Sequence, residues 1–164
     1  MTYSKSSVFR IVEIVIRMVL GAIFVYAAYL KLRDPWALFA LSIDSYGILP
    51  MWAVQLVART LPWGELLIGV LLIVGFFRRT ATVATSLLLA VFFSLMVRAY
   101  AKGMEINCGC FGPGEAISWK TLLRDGSMLG GALFVTAMSF LRRRKPALPP
   151  PVDAAAPEPA ANRV

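Results

Sequence analysis

Four apolar stretches of nearly twenty residues or more recur along the chain, and no other feature constrains its fold as much. A helix rising about 1.5 Å per residue needs roughly 20 such residues to cross a hydrocarbon core of about 30 Å. The stretches cover about 11–30, 61–77, 80–100 and 118–141. The second is short, and the apolar residues 51–57 extend it through a bend at Pro62. Hydrophobic residues fill 59% of the 164 positions and charged residues 16%, a balance that a water-facing surface does not sustain. The sequence therefore predicts an all-α membrane protein, a bundle of four transmembrane helices whose first partner is the lipid bilayer.

The formal net charge is +8, but the basic residues cluster at the ends of the apolar runs, so nucleic acid is not the expected partner. Histidine is absent, which excludes a Ser/His/Asp or Cys/His triad, a His-ligated haem, a His zinc site and an imidazole proton shuttle. The two cysteines fall short of a four-thiolate zinc or iron–sulfur centre within one chain, and no metal site is assigned. Thiol–disulfide chemistry, carboxylate or arginine chemistry within a membrane, passive transport and a structural role survive.

The first run is read as a retained helix rather than a signal peptide, since Glu13 and Arg17 interrupt it and no small-x-small cleavage site precedes Lys31. Lys5 and Arg10, then Arg78 and Arg79, then Arg142 to Lys145 fall on one side by alternation, so both termini are predicted to be cytoplasmic. The connections 31–60 and 101–117 then face outside. Residues 1–145 form the predicted transmembrane domain. Residues 146–164 hold six of the ten prolines with no apolar periodicity and read as a disordered cytoplasmic tail. Gly126 and Gly130 give a GxxxG pattern suited to close helix approach.

Both cysteines lie in the second outside connection, in the run Asn107-Cys108-Gly109-Cys110-Phe111-Gly112-Pro113-Gly114. Two peptide steps span at most about 7 Å, and a turn at Gly109 brings the pair near the roughly 5.5 Å that a disulfide prefers. So small a ring is strained, and strained exposed disulfides exchange readily in an oxidising compartment. Three other readings stand beside this one: an inert disulfide, half of a soft-metal site completed by a partner, and two unrelated buried thiols.

Ionisable residues at membrane depth are the second set. Glu13 and Arg17, four apart, neutralise each other on one helix face. Glu65 stands at the outer start of the second run, where a carboxylate suits a helix N-terminus, and is expected to pair with Arg98 or Arg124. Lys31 belongs to an interfacial collar at the outer end of the first run. Lys31, Glu65, Arg98, Arg124, Asp125 and the two cysteines converge on the outer side, which marks a site there.

The order of these motifs is that of a known family. The run Lys31-Leu32-x-Asp34-Pro35, then Tyr46-Gly47-Ile48-Leu49-Pro50, then Leu61-Pro62-Trp63-x-Glu65-Leu66, then Cys108-Gly109-Cys110-Phe111-Gly112 with Ser118-Trp119 and Leu123-Arg124-Asp125, resembles the MauE branch of the DoxX-like membrane proteins. The likeness covers roughly 8–142. It implies an inner-membrane protein of methylamine utilisation, with the Cys loop facing the periplasm, acting beside a thioredoxin-like periplasmic protein. The client would be a disulfide-containing protein such as the methylamine dehydrogenase small subunit. Cys108 and Cys110 would then be the catalytic pair, exchanging through a mixed disulfide, with Arg124 and Arg98 lowering a thiol pKa. No cofactor is expected to be covalently bound. Because the connection 31–60 lacks a second cysteine pair, either a quinone or a partner accepts the electrons from Cys108 and Cys110. Trp36, Trp52 and Trp63 stand where a quinone headgroup would lie, but tryptophans are expected at the interface in any case. The rival readings are a noncatalytic anchor or assembly subunit of a quinone-linked oxidoreductase and a small-solute transporter.

Overall fold

The computed structural model describes residues 3–104, 106–111 and 115–141. The predicted tail 146–164 and the basic cluster Arg142 to Lys145 lie outside the described residues, as does the side chain of Lys5. Five helices follow in order: α1 Tyr3–Arg33, α2 Trp36–Asp44, α3 Met51–Val74, α4 Arg78–Ala101 and α5 Trp119–Leu141. Among the described residues there is no strand, only a single backbone bridge between Asn107 and Ala116. The all-helical expectation holds. By length and composition α3 and α4 are long and apolar enough to cross a membrane.

Two boundaries differ from the sequence reading. Helix α3 starts at Met51 and runs continuously through Pro62, so the apolar stretch at 51–57 belongs to the same helix as the second run. The connection expected over 31–60 is mostly helical, because α2 occupies Trp36–Asp44 and only residues 45–50 separate it from α3. At the other end of α3, Gly75 takes the left-handed conformation (φ +77°) and returns its N–H to the Leu71 carbonyl, closing the helix before the tight turn into α4. Helix α5 opens on a reciprocal cap: the Ser118 N–H donates to Thr121 Oγ1 at 2.8 Å, and the Thr121 N–H donates to Ser118 Oγ at 3.4 Å.

The four long helices form a ring. Helix α1 packs on α3 and α5, α4 packs on the same two, and α1 and α4 stand across the diagonal. The closest approach is between α1 and α3, where Gly21 and Gly69 oppose each other. The Gly126/Gly130 pattern does less: a Cβ on Gly126 would touch Phe93 at 3.3 Å, and one on Gly130 would meet nothing within 4 Å. The core of Leu20, Phe24, Leu72, Ala81, Leu89 and Ala132 lies inside the ring.

The distribution of polarity is inverted relative to a water-soluble bundle. Ile11, Val19, Leu67, Val74, Leu87 and Phe140 are exposed, whereas Glu13, Arg17, Lys31, Glu65 and Asp125 are buried. Charges turned inward and apolar side chains turned outward are what a bundle solvated by hydrocarbon requires. Glu13 and Arg17 interact electrostatically inside the bundle, as expected, and the Arg17 guanidinium lies against Gly75 at the end of α3.

Candidate thiol site at one end of the bundle

The ends of α1 and α4 and the starts of α3 and α5 meet at one end of the ring, and α2 lies across it. There Lys31 of α1 reaches α3, donating from Nζ to both carboxylate oxygens of Glu65 at 2.7 and 2.7 Å. The two side chains are 2% and 5% exposed, so this is an ion pair removed from solvent. The ammonium also sits 5.0 Å from the ring centroid of Phe39 and 5.9 Å from that of Phe92. Glu65 therefore pairs with Lys31, not with Arg98 or Arg124, and Lys31 is part of the interior rather than of a solvated collar. The Gly21/Gly69 contact is the reason, since it brings α1 against α3 about three turns below Lys31 on α1 and about one turn below Glu65 on α3.

The cysteine loop is folded back on itself. The Cys108 N–H donates to the Glu115 carbonyl at 2.8 Å and the Ile117 N–H to the Ile106 carbonyl at 3.1 Å. Gly109 turns the chain at φ +71°, and its α-carbon faces α2 so closely that a Cβ there would lie 3.2 Å from Ser42 Cβ. The Tyr46 hydroxyl, held by the turn after α2, donates to the Cys108 carbonyl at 3.2 Å. Both cysteines are thiols in this structure; Cys108 is buried and Cys110 half-buried. The surface turn expected from the flanking Gly and Pro is thus pressed onto the helix ends, with Cys108 only 1% exposed.

Four contacts and a cavity surround the sulfurs. The Cys110 N–H points at Cys108 Sγ, N to S 3.5 Å, and the Cys108 thiol at Glu115 Oε2, also 3.5 Å. Cys110 Sγ lies 3.8 Å from the Cys108 carbonyl oxygen and 3.9 Å from Met96 Sδ. Finally, Cys110 lines a cavity of about 40 Å³ together with Ala27, Lys31, Glu65, Phe92 and Asp125. Hydrogen bonding from Cys110 draws the Cys108 thiol below its ordinary range, against burial and the Glu115 charge. The same contact, with burial behind it, pushes the Cys110 thiol far up. Burial likewise raises the Tyr46 phenol.

Beside the loop, Arg124 Nε donates to Asp125 Oδ1 at 2.9 Å, Nη1 bonds Glu115 Oε1, and the guanidinium stacks 4.5 Å from the Phe111 centroid. Arg124 Nη2 and Asp125 Oδ2 are buried with no hydrogen-bond partner among the described residues.

The profile of the methylamine utilisation protein MauE family matches residues 9–138. The chain belongs to the MauE family. It is 34% identical over 113 residues to a protein of Paracoccus denitrificans described as methylamine utilization protein MauE, an alignment that takes in 67% of this chain and 60% of that one. The chain thus matches less than two thirds of that relative's length. No solved structure matches. Membership of the MauE family and the two long apolar helices together point to a membrane protein.

In this MauE-family chain the geometry gathers Cys108, Cys110, Lys31, Glu65, Arg124 and Asp125 at one end of the bundle and leaves Arg98 out. Arg98 is exposed near the end of α4. The cation acting on the thiols is Lys31, which draws Cys110 down against the larger upward influences. Arg124 is occupied by two carboxylates. Trp52 and Trp63 are 71% and 62% exposed on the outer surface of α3, and Trp36 carries the Arg59 guanidinium at 4.4 Å, so none lines the thiol cavity. Three residues to which the sequence reading gave no role are Glu115, Tyr46 and Met96. Tyr46 stands in one of the motifs carrying the family resemblance. Glu115 carries no local signal, because only the fold-back of the loop sets it opposite Cys108.

Proposed function

We propose that this protein is an integral membrane thiol-redox factor of the methylamine utilisation type, which supports disulfide formation in a periplasmic client through Cys108 and Cys110. Helices α1, α3, α4 and α5 are the four spans, and α2 lies at the outer interface. The basic turn at Arg78 and Arg79 marks the cytoplasmic end, which sets the cysteine loop on the periplasmic side. The inward-facing charges and apolar exterior support this arrangement.

The observation that carries the chemical reading is the inequality of the two thiols, Cys108 drawn toward the thiolate and Cys110 holding its proton. Cys108 is then the sulfur that enters the mixed disulfide, and Cys110 the one that leaves when the client attacks and that closes the internal disulfide when the exchange runs in reverse. In the forward direction a client dithiol gives two electrons and two protons to the Cys108–Cys110 disulfide, leaving a client disulfide and two thiols here. A thioredoxin-like periplasmic protein is the partner through which these electrons arrive, and the methylamine dehydrogenase small subunit is the type of client.

Reoxidation of the pair needs a two-electron acceptor, and a membrane quinone would supply that chemistry when bound. The residues present fit one. A groove of about 670 Å³ between α1 and α5 is lined mainly by apolar side chains and ends at Phe111 and Arg124, whose Nη2 is a buried donor with no partner among the described residues. Phe111 follows Cys110 directly in the chain.

Replacing Cys108 and Cys110 together by Ser tests the reading. Client disulfides are expected to fail to form in membranes carrying the double variant at normal abundance. Normal client disulfides would sink the redox reading in favour of a noncatalytic anchor or assembly subunit, which the burial of Cys108 favours.

A further inference from the structure

We infer that Asp125 is the proton acceptor for Cys110 when Cys110 closes the internal disulfide, an inference resting on the exchange reading above: the thiol and the carboxylate line one cavity inside the helix ring, and among the described residues Asp125 Oδ2 is buried without a partner. The cavity holds about 40 Å³, and one water needs roughly 10–15 Å³ measured in this way, so two or three can bridge thiol and carboxylate.

The other acceptors nearby are taken. Both oxygens of Glu65 receive Lys31 Nζ, and Glu115 divides its oxygens between Cys108 Sγ and Arg124. The Tyr46 hydroxyl donates to the Cys108 carbonyl. Among the described residues only the Oδ1 atom of Asp125 is used, by Arg124 Nε. A lone buried acceptor is costly unless it serves something, and a proton delivered to Oδ2 gives it a donor.

Charge balance favours the same route. The carboxylate of Asp125 opposes ionisation of Cys110, so losing the Cys110 proton to bulk water would set two negative charges side by side. Transfer to Asp125 keeps a single negative charge in the cavity, moved onto sulfur beside Lys31. The step is Cys110–SH with Asp125–COO⁻ giving Cys110–S⁻ and Asp125–COOH. The thiolate then attacks Cys108 of the mixed disulfide, the intramolecular S–S bond forms, the bond to the partner sulfur breaks, and the partner leaves as a thiolate. In client oxidation the same step runs backwards, Cys110 leaving as a thiolate and taking its proton back from Asp125.

The test uses the reduced full-length protein and methyl methanethiosulfonate, a small neutral reagent. Cys108–S⁻ displaces methanesulfinate to give Cys108–S–S–CH₃, and Cys110 then expels methanethiolate to close the internal disulfide. Acid quenching and intact mass follow the rise and decay of the adduct; Cys110→Ser keeps the adduct, and Cys108→Ser identifies any modification of Cys110. In Asp125→Asn the decay is expected to slow about 10²-fold at neutral pH, the usual worth of a positioned base, and to recover about tenfold per pH unit as hydroxide takes over. Asp125→Glu should restore most of the rate. If Asp125 acted only through its charge, Asp125→Asn would make Cys110 more acidic and the decay faster; an equal or faster decay with the parental pH profile therefore overturns the assignment. Asp125→Ser carries the same expectations where the Asn variant does not accumulate folded. Absence of any decay in the parent protein overturns the exchange reading itself, whereas a normal decay in the parent with no effect at Asp125 overturns this inference alone.

Discussion

Gly21 and Gly69 meet backbone to backbone: a Cβ on Gly69 would lie 2.9 Å from the Gly21 carbonyl oxygen, and one on Gly21 would lie 3.0 Å from that of Gly69. Neither helix can give way by side-chain motion alone, because the other's main chain is among the obstacles in each case, beside Ile73 for Gly21 and Val25 for Gly69. This contact fixes the distance at which Lys31 meets Glu65. Gly69→Ala is expected to cost about 1–3 kcal/mol, as overpacking of a well-filled interface does, and to lower the thermal midpoint of the detergent-solubilised protein. Gly130→Ala, made where a Cβ meets nothing within 4 Å, should leave the midpoint unchanged or raise it.

The Lys31–Glu65 pair makes a second prediction. Removing one partner strands the other charge in the interior, so Lys31→Met alone should cost about 3–5 kcal/mol. Lys31→Met combined with Glu65→Leu should recover most or all of that, since a buried pair replaced by apolar side chains is often neutral or better. Thermal unfolding of the two single variants and the double variant closes the cycle. A cost for the double variant equal to the sum of the two single costs would mean that the ammonium and carboxylate do not depend on each other.

Cys108 owes its acidity first to the hydrogen bond from Cys110. A bond donated to a thiolate stabilises it, so the thiol pKa falls; losing the donor must raise it. Alkylation of Cys108 by a small reagent should therefore reach half its maximal rate below the ordinary thiol value of about 8.5, and Cys110→Ala should move that midpoint upward. Cys110 itself should stay unreactive across the same pH window in the parent protein. Rate against pH, with peptide-level identification of the alkylated cysteine, decides it.

Glu115 acts in the opposite sense, its negative charge and its hydrogen bond both holding the proton on Cys108. Glu115→Gln removes the charge while keeping an acceptor oxygen, so the Cys108 midpoint should fall further. The same change leaves Arg124 with a weaker partner, so the loop should be cut faster by added protease. A Cys108 midpoint that rises in this variant would contradict the electrostatic role given to Glu115.

The long helices were legible because hydropathy along the chain is a one-dimensional property, and α1, α4 and α5 lie close to where the apolar runs put them. Helix α2 was not, since its nine residues lie between Asp34-Pro35 and the turn at Tyr46-Gly47, signals that read as a connection. The pair Cys108 and Cys110 stood out by composition alone. Which charges meet did not, because that depends on helix rotation. Lys31 and Glu65 are 34 residues apart and join only through the Gly21/Gly69 contact, while Arg98, near the loop in sequence, turns to the exposed face of α4. Glu115 and Met96 needed the fold-back of the loop and the facing side of α4 to reach the sulfurs.

The burial of Lys31 also bears on how the chain is made. Lys31 stands in the last turn of α1, and its counter-ion Glu65 is synthesised 34 residues later. At about 5–20 residues per second that interval is roughly two to seven seconds. The first helix thus leaves the ribosome before it has anything to neutralise it. On the four-span arrangement proposed above, its release into lipid is best matched to the arrival of α3, so that the two helices enter together rather than one at a time.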